Sequence, residues 1–117
     1  MKSKELESLT SKLSEFAQER DWDKFHSPKN LSMALSGEAG ELVEVFQWLT
    51  EEESKNLTSI QKQRAEEEIA DVFLYLLRLA DKLDIDLVGV SRNKLALNEA
   101  KYPVERCYGT AKKYTDL

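Results

Sequence analysis

The sequence has few of the residues that several large classes of protein require. Its single cysteine, Cys107, excludes an internal disulfide framework and is typical of a reducing compartment. The first residues lack the apolar segment of a signal peptide, and no apolar run approaches the length of a membrane span. No block of lysines and arginines is present and the net charge is −5, which disfavours nucleic acid as a partner. We therefore expect a cytoplasmic protein without a membrane or nucleic-acid partner.

The sequence also has only one histidine and no Gly-rich phosphate-binding loop. The only histidine, His26, lies in a connector, so the Glu-x-x-His motifs of a ferritin-like di-iron bundle are absent. There is no Gly-rich phosphate-binding loop, and Cys107 has no neighbouring histidine that would activate it as a nucleophile. Hydrophobic residues make up 41% and charged residues 33% of the 117 residues, a globular composition that fits a single domain, 1–117.

The spacing of apolar residues predicts an all-α fold of four helices with no convincing strand. The predicted helices run from Lys4 to Arg20, from the N-cap Ser27 and Pro28 to about Leu49, from the capping box of Thr58 and Gln61 to about Leu83, and from Asp84 or Asp86 to about Tyr102 before Pro103. The third helix is expected to turn Ile69 and Phe73 towards the core. The connector 51–57 and the tail 104–117 are expected to be irregular. Because helical domains of this size often complete their core against another subunit, we expect a four-helix bundle completed by oligomerisation.

Two acidic pairs interrupt the apolar faces of the second and third helices. Glu38 lies near the centre of the apolar face of the second helix, with Glu41 at its edge. Glu68 and Asp71 have the same spacing on one shoulder of the third. An ionised carboxylate among leucines is costly unless it is compensated, and antiparallel packing of the two helices would bring all four together. Oxygen ligands of this kind select Mg²⁺ or Mn²⁺. The alternative is that they are ordinary solvated charges.

Aromatic residues flank the second helix. Trp22 and His26 precede it and Trp48 lies near its end, on the same side as Glu41. Aromatic planes beside a metal–phosphate site are suited to stacking on a nucleobase, and His26 would contact a base edge. The alternative is that the tryptophans close the ends of the hydrophobic core and that the histidine caps a turn.

The fourth helix carries a polar set of its own. Lys94 and Asn98 lie along one face and Tyr102 lies farther round. A lysine there would hold a phosphate, and the other two would donate hydrogen bonds to sugar or phosphate oxygens. A solvated polar face is the alternative interpretation.

Taken together, these motifs resemble the MazG-like nucleotide pyrophosphohydrolases, and in particular their dCTP pyrophosphatase branch. The resemblance rests on Phe16-Ala17, Glu19–Trp22, Phe25-His26, Pro28, Asn30-Leu31, Gly37-Glu38, Gly40–Leu42, Phe46–Trp48, Glu67-Glu68, Asp71-Val72, Lys94, Asn98, Tyr102-Pro103, Lys113–Thr115 and Leu117. It covers the chain from about Phe16 to the last residue.

The resemblance implies a role for each candidate. Mg²⁺, with Mn²⁺ as a substitute, would be held by Glu38, Glu41, Glu68 and Asp71, the base by Trp22, His26 and Trp48, and the phosphates and sugar by Lys94, Asn98 and Tyr102. Glu41 is preferred as the general base, with Glu38 beside it.

The resemblance also implies a reaction and an assembly. The reaction is hydrolysis of a nucleoside triphosphate, with dCTP or a modified dCTP as the expected substrate, to the monophosphate and pyrophosphate. The assembly is a homodimer or a homotetramer whose active sites draw on more than one subunit. Other nucleotide substrates stay open, namely dUTP or dUDP, dATP, and phosphoribosyl-ATP. A helical interaction module that binds a metal without catalysis is the contrasting hypothesis.

Overall fold

The computed structural model describes residues 3–117 and, within that range, contains helices and connecting segments but no strand. Six α-helices are described: α1 Lys4–Glu19, α2 Pro28–Phe46, α3 Glu51–Lys55, α4 Ser59–Lys82, α5 Leu87–Lys101 and α6 Val104–Cys107. Short 3-10 helices cover Asp23–Phe25 and Tyr114–Asp116. The prediction of an all-α fold is confirmed. Over residues 3–117 no helix combines the length and the apolar character that crossing a bilayer demands.

The predicted helix starts coincide with side-chain caps. The hydroxyl of Ser27 accepts a backbone N–H at the start of α2. Thr58 and Gln61 form the reciprocal capping box of α4, each side chain accepting the other's backbone N–H. At α5 the cap is Asp86, whereas Asp84 has a left-handed backbone with φ of 52°. Local hydrogen-bond chemistry therefore accounts for where the long helices begin.

The connector expected at 51–57 is instead partly helical. Thr50 is extended, with φ −73° and ψ 165°, and its hydroxyl accepts the backbone N–H of Glu53. The carboxylate of Glu53 accepts the N–H of Thr50 in return, which makes a second capping box and starts α3. The same extended residue separates α3 from α2. Residues 47–49 form a turn, so α2 ends at Phe46 and not at the predicted Leu49.

The tail expected to be irregular also contains structure. Pro103 is extended, with ψ of 142°, and α6 begins directly after it. The rings of Tyr102 and Tyr114 meet edge to face with their centroids 6.1 Å apart, and Lys101 lies over the second ring. The prediction for 104–117 was therefore wrong at α6 and at the final 3-10 helix, because short-range contacts order these segments.

Packing divides the described chain into two compact units. The first, Lys4–Ile85, contains α1 to α4, with α2 packed chiefly on α4 and α1 packed on α4 as well. Its most buried apolar residues are Ala17, Leu31, Val45, Ala65, Leu77 and Ala80. The second unit comprises Asp86–Leu117 together with Ser3. The assignment of 1–117 to a single domain stays a prediction.

One expectation about α4 was wrong. Ile69 is 54% exposed and Phe73 is 38% exposed, although both were expected to face the core. Leu77 and Arg78 are buried in their place. The helices packed most extensively on α4 are α2 and α1, and this packing leaves Ile69 and Phe73 exposed.

Candidate active site

Four carboxylates converge between α2 and α4. Glu38 and Glu41 come from α2, and Glu68 and Asp71 come from α4. One oxygen of each side chain lies within 4.8 Å of the corresponding oxygen of the other three. The spacing of each pair places both its carboxylates on one helix face, and the packing of α2 on α4 turns the two faces towards each other. The convergence expected from the sequence is thus observed, while the role of these residues as metal ligands stays a prediction.

The electrostatics of the cluster are unfavourable without a cation. Burial, and after it the neighbouring Glu41, Asp71 and Glu68, together raise the pKa of Glu38 to about 7. Burial and the adjacent Glu41 also raise the pKa of Glu68. Among residues 3–117, the Oε2 atoms of Glu38 and Glu68 are buried without a hydrogen-bond partner. Buried, unpaired carboxylate oxygens at this spacing fit a hard divalent cation, which would supply the missing compensation.

An apolar cavity of about 420 Å³ adjoins this cluster. Its walls come from α1, from the connector before α2 and from α4. The lining residues are Leu9, Lys12, Leu13, Phe16, Ala17, Trp22, His26, Asp71, Leu74, Tyr75 and Arg78. Asp71 belongs to both the cavity and the acidic cluster, so a ligand in the cavity would reach the carboxylates. Trp22 and His26, predicted as base contacts, line the cavity together.

Trp22 is positioned by the end of α1. Its backbone N–H donates to the carbonyl of Ala17 over 2.8 Å, and Asp21 before it is left-handed with φ of 56°. The indole meets the ring of Phe16 edge to face, at 5.6 Å between centroids and 73° between planes. It remains 45% exposed. A half-exposed indole held in this way offers surface on which a planar ring could stack.

A family model described as the MazG-like family matches residues 33–117, a stretch that contains all four carboxylates. This chain belongs to the MazG-like family. The MazG-like chain is 45% identical over 114 residues to dCTP pyrophosphatase 1 of Rattus norvegicus, a match that covers 96% of this chain and 67% of the rat protein. It is 41% identical over 114 residues to dCTP pyrophosphatase 1 of Homo sapiens, covering 96% of this chain and 67% of the human protein.

A solved structure agrees with these sequence matches. The crystal structure of a pyrophosphatase from Archaeoglobus fulgidus superimposes with a TM-score of 0.81 and 40% sequence identity. The match covers 88% of this chain and 96% of that one. Family, relatives and fold agree, so the prediction of a nucleotide pyrophosphohydrolase is confirmed.

Trp48 is the one predicted base contact that the structure places outside the cavity lining. It lies in the turn after α2 and is 85% exposed. Its position follows from the early end of α2, since the turn before Thr50 directs the chain towards α3. Its role in this MazG-like chain stays a prediction.

The predicted phosphate and sugar contacts lie in the second unit. Lys94 is an exposed residue of α5 and Asn98 is a half-buried one. Tyr102 caps α5, its backbone N–H donating to the carbonyl of Asn98 over 2.9 Å. Within this unit the three follow one another along the C-terminal part of α5, and their roles in binding stay predictions.

Sequence reasoning missed Arg78, the buried charged residue of the MazG-like site. The residue is 5% exposed, and its side chain lines the cavity. It donates hydrogen bonds to Asp23 and His26, in the connector before α2, and to Asp81, one turn along α4. The signal available in the sequence was a lone arginine within the apolar run from Leu74 to Ala80, where a cation is as conspicuous as Glu38 is in α2.

Proposed function

We propose that this enzyme hydrolyses a deoxynucleoside triphosphate, dCTP or a modified dCTP in the first place, to the monophosphate and pyrophosphate with Mg²⁺. The observation that carries the proposal is the cluster of four carboxylate oxygens within 4.8 Å, two of them on residues with buried unpartnered oxygens, beside an apolar cavity. The choice of dCTP is supported by the names of the rat and human relatives.

The cation would be held by Glu38, Glu41, Glu68 and Asp71. Bound there, Mg²⁺, or Mn²⁺ in its place, would neutralise the charge that develops on the phosphates as the α–β anhydride bond breaks. Two-sided support from α2 and α4 keeps the carboxylates at fixed spacing, which favours one position for the triphosphate.

The proton of the attacking water would be taken by a carboxylate of the same cluster. Glu41 is the exposed member on α2, so it is the one that solvent reaches. Glu38 is half-buried next to it, where its negative charge would keep the water oriented. We therefore assign Glu41 as general base and Glu38 as its partner.

The base would occupy the cavity. Its volume of about 420 Å³ lies within the range of small-ligand sites, roughly 300–1,000 Å³. Trp22 would stack on the base and His26 would make the polar contact, with Trp48 as a further aromatic wall. Lys94, Asn98 and Tyr102 would bind the phosphates and sugar.

We also propose that the chain works as a homodimer or homotetramer. The exposed apolar stripe of Ile69 and Phe73 supports this, because apolar side chains in a continuous stripe are stabilised when a partner covers them. A cytoplasmic location is part of the same proposal and is supported by the single cysteine.

The decisive experiment measures both phosphate products. The purified protein is incubated with Mg²⁺ and each canonical dNTP, 5-methyl-dCTP, dUDP and phosphoribosyl-ATP, and pyrophosphate and orthophosphate are quantified separately. We expect pyrophosphate, fastest from dCTP or its modified form. Orthophosphate as the product would overturn the assigned bond, and faster turnover of another nucleotide would overturn the assigned base.

The variant Asp71→Asn tests whether the acidic cluster is the site of the reaction. It removes one charge with little change of shape, and we expect pyrophosphate release to be lost while the helical circular dichroism is retained. Glu66→Gln on the exposed side of α4 is the matched control and should keep wild-type activity. Equal activity of the two variants would contradict the acidic cluster as the reaction site.

A further inference from the structure

Arg78 makes a hydrogen bond that determines the chemistry of His26. Its Nε–H donates to Nδ1 of the imidazole over 3.2 Å. One terminal N–H group donates to Asp23 over 2.6 Å, and the other donates to Asp81 over 3.3 Å. The guanidinium is thus buried with two carboxylates around it, which compensates its charge and keeps its plane in one orientation.

This contact selects one form of the histidine ring. A guanidinium stays protonated and has donors only, so a ring nitrogen bonded to it must accept. An imidazole whose Nδ1 accepts carries its hydrogen on Nε2 and is neutral. Among residues 3–117, no protein group is hydrogen-bonded to that second nitrogen. His26 therefore has one N–H left to offer, and the ring lines the cavity.

Burial and charge act in the same direction. Burial lowers the pKa of His26, and the positive charge of Arg78 lowers it further, with Asp23 opposing in part. The connector is held as well, since the backbone N–H of His26 donates to the carbonyl of Asp23 over 3.0 Å. The ring is consequently neutral and fixed in place near neutral pH.

We infer that Arg78 is a positioning residue that holds His26 in the Nε2–H form, so that the cavity presents a hydrogen-bond donor to the edge of the bound base. The inference rests on the proposed function and names the kind of base that the cavity selects. A donor directed at ring position 3 favours a base that accepts there, as N3 of cytosine does. Uracil and thymine place an N–H at the same ring position, where two donors would face each other.

The first test reads the tautomer directly. His26 is the only histidine, so a long-range ¹H–¹⁵N spectrum of the ring contains one residue and needs no assignment. At pH 7.5 we expect a protonated Nε2 and an unprotonated Nδ1, and we expect the Nε2–H signal to shift when α,β-imido-dCTP binds. A protonated Nδ1, or two averaged nitrogens, in the wild-type protein would overturn the inference.

The second test separates positioning from structure. In Arg78→Met the donor is lost while the length of the side chain is kept, and we expect averaged ring nitrogens and a KM for dCTP raised roughly tenfold, with kcat changed little. Lys82→Met is the matched control, because Lys82 bonds to the same Asp23 but not to His26. It should keep the wild-type tautomer and KM. Unchanged KM and tautomer in folded Arg78→Met would contradict the inference.

A second variant and the activity of the wild-type protein distinguish failure of this inference from failure of the proposed function. Should Arg78→Met fail to fold, Arg78→Gln takes its place, and the same loss of the fixed tautomer with a raised KM is expected because a neutral amide carries both an acceptor and donors and does not require Nδ1 to accept. The spectrum requires no turnover. If the wild-type protein has the Nε2–H tautomer but releases no pyrophosphate from any nucleotide, the proposed function is refuted and the assigned tautomer stands. If the enzyme is active but has the other tautomer, only the role of Arg78 is refuted.

Discussion

At position 38, the packing of the helix and the chemistry of its side chain oppose each other. The face of α2 that meets α4 is apolar on either side of Glu38, yet the residue there is a carboxylate with one buried oxygen that has no hydrogen-bond partner in the described chain, 3–117. If packing of the two helices were the only requirement at position 38, an apolar residue would be more stabilising there. The conflict between local packing and side-chain type is what identified the site in the sequence, since such conflicts concentrate where a protein binds or reacts.

Replacing this carboxylate should separate stability from activity. In Glu38→Gln we expect pyrophosphate release to fall by more than about a hundredfold, because residues that merely support metal ligands already contribute ten- to a hundredfold. The metal-free protein should melt at a higher temperature than wild type, since the substitution removes carboxylate repulsion. Steady-state kinetics and calorimetry measure the two effects. Glu44→Gln, an exposed position of the same helix, should change neither.

The raised pKa of Glu38, about 7 against an ordinary value of 4.5, makes a prediction about pH. The folded protein holds this proton more tightly than the unfolded chain does, so the stabilising contribution is complete below about pH 4.5 and is lost as the pH rises to about 7. We expect the melting temperature in EDTA to be higher at pH 5.5 than at pH 8. Mg²⁺ should raise it more at pH 8, because the ion binds the deprotonated carboxylates. The reverse order in EDTA would contradict a buried, repelling cluster.

At the scale of elements, the hydrogen bonds that cap the helices could be predicted from the sequence, whereas contacts between residues far apart in the chain could not. The hydroxyls of the caps Ser27 and Thr58 each accept a backbone N–H from the residue three positions later, so their pattern lies within a few letters of the sequence. The bond between Arg78 and His26 joins residues 52 positions apart and depends on how α4 meets the connector, which no helical periodicity specifies. The opposed carboxylates were predictable only because both pairs repeat one spacing on helices that are consecutive long elements.

The capping box of α4 carries a prediction at this scale. Thr58→Ala removes the acceptor for the N–H of Gln61 and should cost about 1 kcal/mol of unfolding free energy, as N-cap replacements do. Ser59→Ala changes the neighbouring exposed residue, for which no side-chain cap is formed, and should have a much smaller effect. Urea unfolding of both variants measures the difference. Equal losses would show that the reciprocal bonds of Thr58 do not stabilise α4.

At the scale of the whole molecule, the exposed apolar stripe of α4 bears on assembly. Ile69 and Phe73 are four residues apart and so lie above one another on the helix, and both are exposed in the single chain. The sequence predicted that they face a core, and in the described chain they do not. A single sequence does not reveal whether an apolar stripe is covered by its own chain or by another copy. A second copy of the chain is the proposed cover, and it explains why apolar residues occupy this face.

Charge placed on this stripe should therefore change the mass of the particle in solution. We expect the wild-type protein to elute with the mass of a dimer or tetramer by light scattering, and Ile69→Glu to shift that mass towards one chain, because burying an unpaired carboxylate in an interface is costly. Gln63→Glu adds the same charge at an exposed polar position of α4 and should keep the wild-type mass. A wild-type monomer, or an Ile69→Glu variant with unchanged mass, would show that this stripe is not the subunit interface.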